Sequence, residues 1–124
     1  MAAQTDLWGE IIPAAVRTPL AILREQAALL GTKTKNLIEA KVETGVSRGE
    51  FSHRFKLVVP AMDNYTYELF TVTHGVDLYP VFTRVKKLDL QMNNEEDFVR
   101  WLKETLSSPD TKTLIGNLLA QATS

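Results

Sequence analysis

The spacing of the apolar residues changes twice along the chain, and this change constrains the fold more than any other feature. Between residues 19 and 30 they recur every three to four positions, as on one face of an α-helix. From residue 37 to about residue 86 most of them alternate with polar residues, as in half-buried β-strands. The helical spacing returns from residue 94. Helices and strands grouped in this way are typical of an α+β domain.

The first helix has clear start and stop signals. Thr18 is a favourable N-cap, and Pro19 occupies the first helical position, where a missing N–H removes no needed hydrogen bond. Gly31 is a residue that commonly ends helices in the left-handed conformation. We therefore predict a helix from Pro19 to about Leu30.

Two further helices are predicted at the C-terminus. Asn94 is a suitable N-cap, and the three acidic residues that follow it favour the positive end of a helix dipole. Ser108 before Pro109 repeats the combination of cap and proline. Each segment carries an apolar stripe at helical spacing, so we expect both helices to pack on one face of the sheet.

The alternating segment predicts a four-stranded antiparallel meander, in which consecutive strands are joined by short turns. The fourth strand is expected from about Leu78 to Lys86, and Pro80 favours an edge position because proline donates no ladder hydrogen bond. In the third strand, Tyr67 and Phe70 are predicted to point to opposite faces. The face away from the helices is predicted to carry the charged residues Glu39, Lys41, Glu43, Arg54 and Lys56.

Length and composition favour one soluble domain over residues 1–124. Within it we expect residues 1–13 to be loosely ordered, with a short helical turn from Asp6 to Ile12. Hydrophobic residues make up 44% of the 124, enough to bury a core. A net charge of −1 gives no strong nucleic-acid signal. Cysteine is absent, which excludes disulfides and thiolate chemistry. Without a secretory signal or an apolar run of about 18 residues, we expect a cytoplasmic protein with no membrane association.

Glu39 and Lys41 form a Glu-x-Lys sequence on a predicted strand, as in many metal-dependent nucleases. Such an enzyme needs a second carboxylate close enough to share the metal. Glu43 lies on the same face but about 13 Å further along the strand, at ~3.3 Å per residue. An outward charged row produces the same pattern, so a nuclease is the weakest of the hypotheses.

The two histidines offer a second candidate for chemistry. His53 lies in the apolar row of its strand, which favours either a core histidine with a satisfied hydrogen bond or a pocket histidine with a shifted pKa. In the second interpretation it acts as an acid or base with Tyr67 or Glu68 nearby. His74 precedes a glycine at a turn, and we expect it to be exposed.

A polar and aromatic loop is the third candidate, because tyrosine-rich loops make good recognition surfaces. They are equally normal entries into a strand. The binding residues predicted from this loop, from the neighbouring Tyr79 and from the histidine row are His53, Asp63, Asn64, Tyr65, Tyr67 and Tyr79.

These observations favour a non-catalytic module that binds a protein partner or itself through the sheet face or a strand edge. A homodimer is the expected form of self-association, since closed two-fold pairs are the commonest oligomers. The alternatives are a small-molecule-binding protein or hydrolytic enzyme with a cavity around His53, and the nuclease that uses Glu39 and Lys41. We assign no catalytic residue, metal ligand or cofactor.

Overall fold

Three helices and five strands make up residues 5–124, the part of the chain that the computed structural model describes. The helices are α1 (Pro19–Lys33), α2 (Glu95–Leu106) and α3 (Pro109–Ala122), and the strands are β1 (Glu39–Ser47), β2 (Glu50–Val59), β3 (Tyr65–His74), β4 (Val81–Val85) and β5 (Leu88–Met92). A short 3-10 helix (Pro60–Met62) joins β2 to β3. The predicted α+β class, with one helix before the sheet and two after it, is confirmed.

The strands form an antiparallel meander in the order β1-β2-β3-β4-β5. The predicted meander is confirmed, but the predicted count of four strands is wrong. Lys86 and Lys87 both have positive φ angles, 50° and 68°, so the chain reverses directly after Val85 and returns as β5. As a result β4 lies inside the sheet, and the expected edge position next to Pro80 is wrong.

The predicted helix starts are confirmed by their caps. The side chains of Thr18, Asn94 and Ser108 accept hydrogen bonds from the backbone N–H three residues later, at 3.1, 2.8 and 3.2 Å. The predicted end of α1 is wrong. The helix continues through Gly31 to Lys33, and Thr34 is its C-cap.

A one-residue bulge interrupts the pairing of β2 with β3. Phe55 pairs with Phe70, and Leu57 pairs with Tyr67, so Leu69 has no opposite residue. Paired residues point to the same face of a sheet, which places Tyr67 and Phe70 on one face. The prediction that they point to opposite faces is wrong because regular alternation stops at the bulge.

The core lies between the helices and one face of the sheet, as predicted. Phe98 of α2 is fully buried, and its ring lies 6.1 Å from that of Trp101 and 6.5 Å from that of Tyr79. Phe55 and Phe70 stack across β2 and β3 with ring centroids 5.2 Å apart. The other buried apolar residues of this cluster are Ile22, Leu23, Ile38, Leu57, Val59, Val72, Val81, Met92, Leu102 and Leu118.

Residues 5–17 precede α1 and contain neither helix nor strand. The expected helical turn from Asp6 to Ile12 is therefore wrong. Gly9 has a φ of +67°, which is incompatible with a right-handed helical turn at that point. For residues 1–4, the expectation of loose order lies outside the described residues.

Candidate functional site

An open groove lies between the three helices and the sheet face that they cover. Its volume is about 740 Å³, which falls within the ~300–1,000 Å³ of ligand sites. Helices α1, α2 and α3 form its walls, and β2 and β3 form its floor. Most of its lining is apolar and includes Leu29, Leu30, Leu69, Val99, Leu106 and Ile115. We call this feature the interhelical groove.

Some of the apolar residues that line the groove lie outside the stripes that fill the core. Leu29 of α1 and Val99 of α2 are 49% and 39% exposed, although both line the groove. Leu69 reaches the floor because it is the bulged residue of β3. Apolar surface that is concave, contiguous and open to solvent is typical of an interaction site.

Basic side chains surround the apolar lining. Arg17, Lys33, Lys103 and Lys112 line the groove, and among its described lining residues there is no aspartate or glutamate. Arg17 forms an ion pair with Glu25. Within residues 5–124 the three lysines have no carboxylate partner. The groove therefore has an apolar interior and a net positive rim, which suits an apolar ligand with negative charge.

The two histidines meet on the helix-covered face, away from the groove. His53 is 2% exposed and His74 is 5% exposed, so the expectation of an exposed His74 is wrong. Their Nε2 atoms are 2.8 Å apart. His74 is buried because β3 continues to this residue beside β2, where its ring stacks on that of Phe51 at 5.4 Å.

The hydrogen bonds of this pair determine where its protons lie. His74 Nδ1 is 2.7 Å from the carbonyl oxygen of Gly75, so it must carry a proton to donate. In the neutral ring His74 Nε2 then accepts, which makes His53 Nε2 the donor between the two rings. His53 Nδ1 in turn accepts from Thr44 Oγ1 at 3.0 Å. Every polar atom of the pair is satisfied while both rings are neutral.

Burial lowers the pKa of His53 to about 4, and the proximity of His74 and Arg24 acts in the same direction. The ring therefore stays neutral at physiological pH. This arrangement fits the core-histidine interpretation of His53. The acid–base interpretation required Tyr67 or Glu68 close by, but Tyr67 pairs with Leu57, four residues along β2 from His53.

The structure divides the predicted binding residues between the two ends of β3. Asp63 and Asn64 form the β2–β3 turn, where both have positive φ angles of 56° and 57°. Tyr65 and Tyr67 follow at the start of β3 and are exposed. These four residues lie together at one end of the sheet, and their role in binding stays a prediction.

Tyr79 and His53 lie toward the other end of the sheet. The hydroxyl of Tyr79 donates to the carbonyl oxygen of Arg17 at 2.9 Å, and its ring packs against Phe98. Burial and the nearby carboxylate of Glu95 raise the pKa of Tyr79, so the phenol keeps its proton. Tyr79 therefore holds the backbone at Arg17, on the rim of the groove.

Glu39 and Lys41 lie on β1 opposite Val58 and Lys56. They border a cavity of about 420 Å³ between α1 and β1. Within residues 5–124, no three histidine, aspartate or glutamate side chains converge as ligands of a metal. The nuclease hypothesis stays a prediction.

Sequence reasoning missed the interhelical groove. Leu29 and Val99 each flank the main apolar stripe of their helix, and a stripe wider than the core requires is the signal that could have indicated a second apolar surface. The lysines of the rim come from three separate helices, so no local pattern joins them.

No family model matches the chain, and no curated protein or solved structure matches it either. No helix within residues 5–124 is long and apolar enough to cross a lipid bilayer. Function is therefore inferred from the geometry of the groove.

Proposed function

We propose that this chain is a non-catalytic binding protein that holds an acidic, apolar polypeptide segment in the interhelical groove. The observation that carries this proposal is the combination of an apolar lining with the basic rim of Lys33, Lys103 and Lys112. Apolar anchors in such a groove supply affinity, and charges around it supply orientation and selectivity. A helix or extended segment in a groove is a common mode of peptide recognition.

The outer sheet face supports binding less well, although the sequence favoured it. Its charges already neutralise one another, since Glu43 bonds Lys56 at 2.8 Å and Arg54 lies 3.8 Å from both Glu43 and Glu68. A ligand on this face would compete with these ion pairs. The groove lysines have no such partners within the described chain.

A small anionic amphiphile, such as a long-chain carboxylic acid, is the second candidate ligand. The volume of about 740 Å³ favours it, because the groove is large enough for a drug-sized molecule. The hydrolase hypothesis has less support, because the ring of His53 is buried beside Thr44 and His74 and does not line the groove.

The test uses the fluorescent probe 1-anilinonaphthalene-8-sulfonate, which is apolar and anionic. At a concentration low enough to keep the chain monomeric, we expect it to bind the native protein and to bind the double variant Leu29→Asp/Val99→Asp at least tenfold more weakly (~1.4 kcal/mol). Val76→Asp is the matched control, since Val76 is an exposed apolar residue of the β3–β4 loop, outside the groove. Equal binding to all three proteins would overturn the proposal.

Competition then separates the two ligand classes. A synthetic peptide that carries two acidic and several apolar side chains should displace the probe if a polypeptide segment is the ligand. Displacement by dodecanoate alone would support the small amphiphile instead.

A further inference from the structure

The residues before α1 form an arm, Thr5–Val16, whose large apolar side chains are open to solvent. Leu7, Trp8, Ile11 and Ile12 are 91%, 82%, 71% and 73% exposed. Four such side chains within six residues are far more apolar surface than scattered exposed residues provide. An arm of this composition needs a surface to cover it.

The charge of the arm is complementary to that of the groove. Asp6 and Glu10 are its charged residues, and both are acidic. The groove rim is basic and lacks carboxylates among its described residues. The arm therefore has the two properties that the proposed ligand of the groove requires, apolar anchors and negative charge.

The root of the arm is fixed at the rim of the groove. The backbone N–H of Arg17 donates to Glu95 Oε1 at 3.0 Å, and its carbonyl oxygen accepts from the hydroxyl of Tyr79 at 2.9 Å. The side chain of Arg17 lines the groove and pairs with Glu25. With its root held at three points, the arm leaves the body of the protein from a defined position.

We propose that the arm of one copy occupies the interhelical groove of a second copy, and that two copies exchange arms reciprocally. This inference rests on the proposed function of the groove and names its partner. In the single chain the arm is exposed along its length and does not cover its own groove. A dimer with two-fold symmetry contains two arms and two grooves, so each arm fills one groove and no arm or groove is left over.

The size of the contact fits a stable dimer. Each copy contributes the twelve residues Thr5–Val16 and the walls of one groove. Standard interfaces involve about 20–30 residues a side, with aromatic side chains among the strongest contributors. Trp8 is the natural anchor, because it is the largest exposed apolar side chain of the arm.

The first test measures self-association by sedimentation equilibrium on the full chain. We expect a dimer for the native protein, and a dissociation constant at least tenfold higher for the arm variant Trp8→Asp/Ile12→Asp. The groove variant Leu29→Asp/Val99→Asp should show the same loss, because its new carboxylates also repel those of the arm. Val76→Asp, at a site 80% exposed but outside arm and groove, should dimerise normally.

The second test mixes the two defective proteins. The arm variant keeps an intact groove, and the groove variant keeps an intact arm, so one of the two contacts can form between them. We expect the mixture to associate more tightly than either variant alone, as followed by fluorescence-detected sedimentation of one labelled protein. If the native protein is dimeric but the mixture does not associate, the exchange of arms is overturned.

The probe 1-anilinonaphthalene-8-sulfonate distinguishes the failure of this inference from the failure of the groove. If the native protein is monomeric but its groove residues still determine probe binding, the proposed function of the groove is supported and the arm exchange is overturned. A monomeric native protein that binds the probe only after Trp8→Asp/Ile12→Asp would show that the arm folds back onto its own groove, which also overturns the exchange. In the arm variant Trp8→Asp/Ile12→Asp, whose groove is not filled by an arm, probe binding that is insensitive to Leu29→Asp/Val99→Asp would overturn both proposals.

Discussion

The Nε2 atoms of His53 and His74 are 2.8 Å apart, and a single proton lies between them. The chain of donors runs from Thr44 Oγ1 through both rings to the carbonyl oxygen of Gly75. A second proton on His53 would enter at Nδ1, where Thr44 Oγ1 would have to change from donor to acceptor. The network as it stands therefore fits the neutral ring of His53.

Acid should weaken the fold before most carboxylates titrate. The pKa of His53 is about 4 in the folded state and about 6.5 in the unfolded state, so the unfolded chain binds more protons between these values. Stability is thus complete above pH 6.5 and falls as the pH is lowered. We expect a loss of roughly 2 kcal/mol in the free energy of unfolding between pH 7 and pH 4.5, measured with urea.

The control for this prediction replaces the whole network with apolar residues, as Thr44→Val/His53→Leu/His74→Leu. Its stability should change little over the same pH range, because no buried ring remains to take up a proton. A native protein with constant stability from pH 7 to 4.5 would contradict the prediction.

Thr44→Val should destabilise the protein by about 1–3 kcal/mol, because it leaves His53 Nδ1 buried without a donor. Valine has nearly the shape of threonine, so packing changes little. Thr73→Val is the matched control on β3, since within the described residues the hydroxyl of Thr73 makes no hydrogen bond to another side chain or the backbone. It should change stability by less than about 0.5 kcal/mol. Equal effects of both substitutions in thermal or urea unfolding would contradict the network.

Tyr79→Phe should release the root of the arm while keeping the core. The ring still packs on Phe98, but the hydrogen bond to the carbonyl oxygen of Arg17 is lost, at about 0.5–1.5 kcal/mol. Because a less fixed arm loses more freedom on docking, the dimer should also dissociate more readily. Urea unfolding and sedimentation equilibrium measure the two effects. Tyr65→Phe, at an exposed position on β3, should alter neither.

Raising the salt concentration should weaken dimerisation, and it should also weaken binding of the probe to the dilute monomer, since the lysines of the groove rim are exposed and screened. Lys103→Glu should have the same effect at low salt and should remove much of the remaining salt dependence. Lys87→Glu in the β4–β5 turn is the control with the same change of charge. If salt and Lys103→Glu leave dimerisation unchanged, the complementarity of charge plays no part in binding.

The parts of the fold that were predictable from the sequence are those set by local chemistry. Two helices start at a capping residue followed by proline, namely Thr18 with Pro19 and Ser108 with Pro109. Each capping hydrogen bond spans three residues, so the local sequence is enough to predict the start of the helix. The bounds of β2 followed from strict alternation and from Pro60, which follows its last residue. Fold class then followed from the order of the elements.

Strand β5 was missed although its alternation is visible in Leu88, Leu90 and Met92. The obstacle was the turn before it. Lys86 and Lys87 both adopt positive φ, a conformation that glycine and asparagine usually provide. Without those residues the turn gave no signal, and the sheet was predicted to end with the fourth strand at about Lys86.

The histidine pair and the interhelical groove could not be predicted because both depend on how separate elements are placed. His53 and His74 are 21 residues apart, and their meeting depends on the register of β2 against β3. The groove depends on the gap between three helices, which apolar stripes do not determine. Asp63 and Asn64 were predicted as binding residues because of their polar side chains in a loop. Their positive φ angles show that they form the turn.

The bulge at Leu69 also has a consequence for evolution. Because Leu69 has no opposite residue on β2, deleting its codon would leave the neighbouring pairs, Phe70 with Phe55 and Glu68 with Lys56, in their present alignment. The sheet could therefore survive the loss of one residue from a central strand, while the groove would lose part of its floor. A lineage could gain or discard this floor by one in-frame insertion or deletion, without redesigning the domain that supports it.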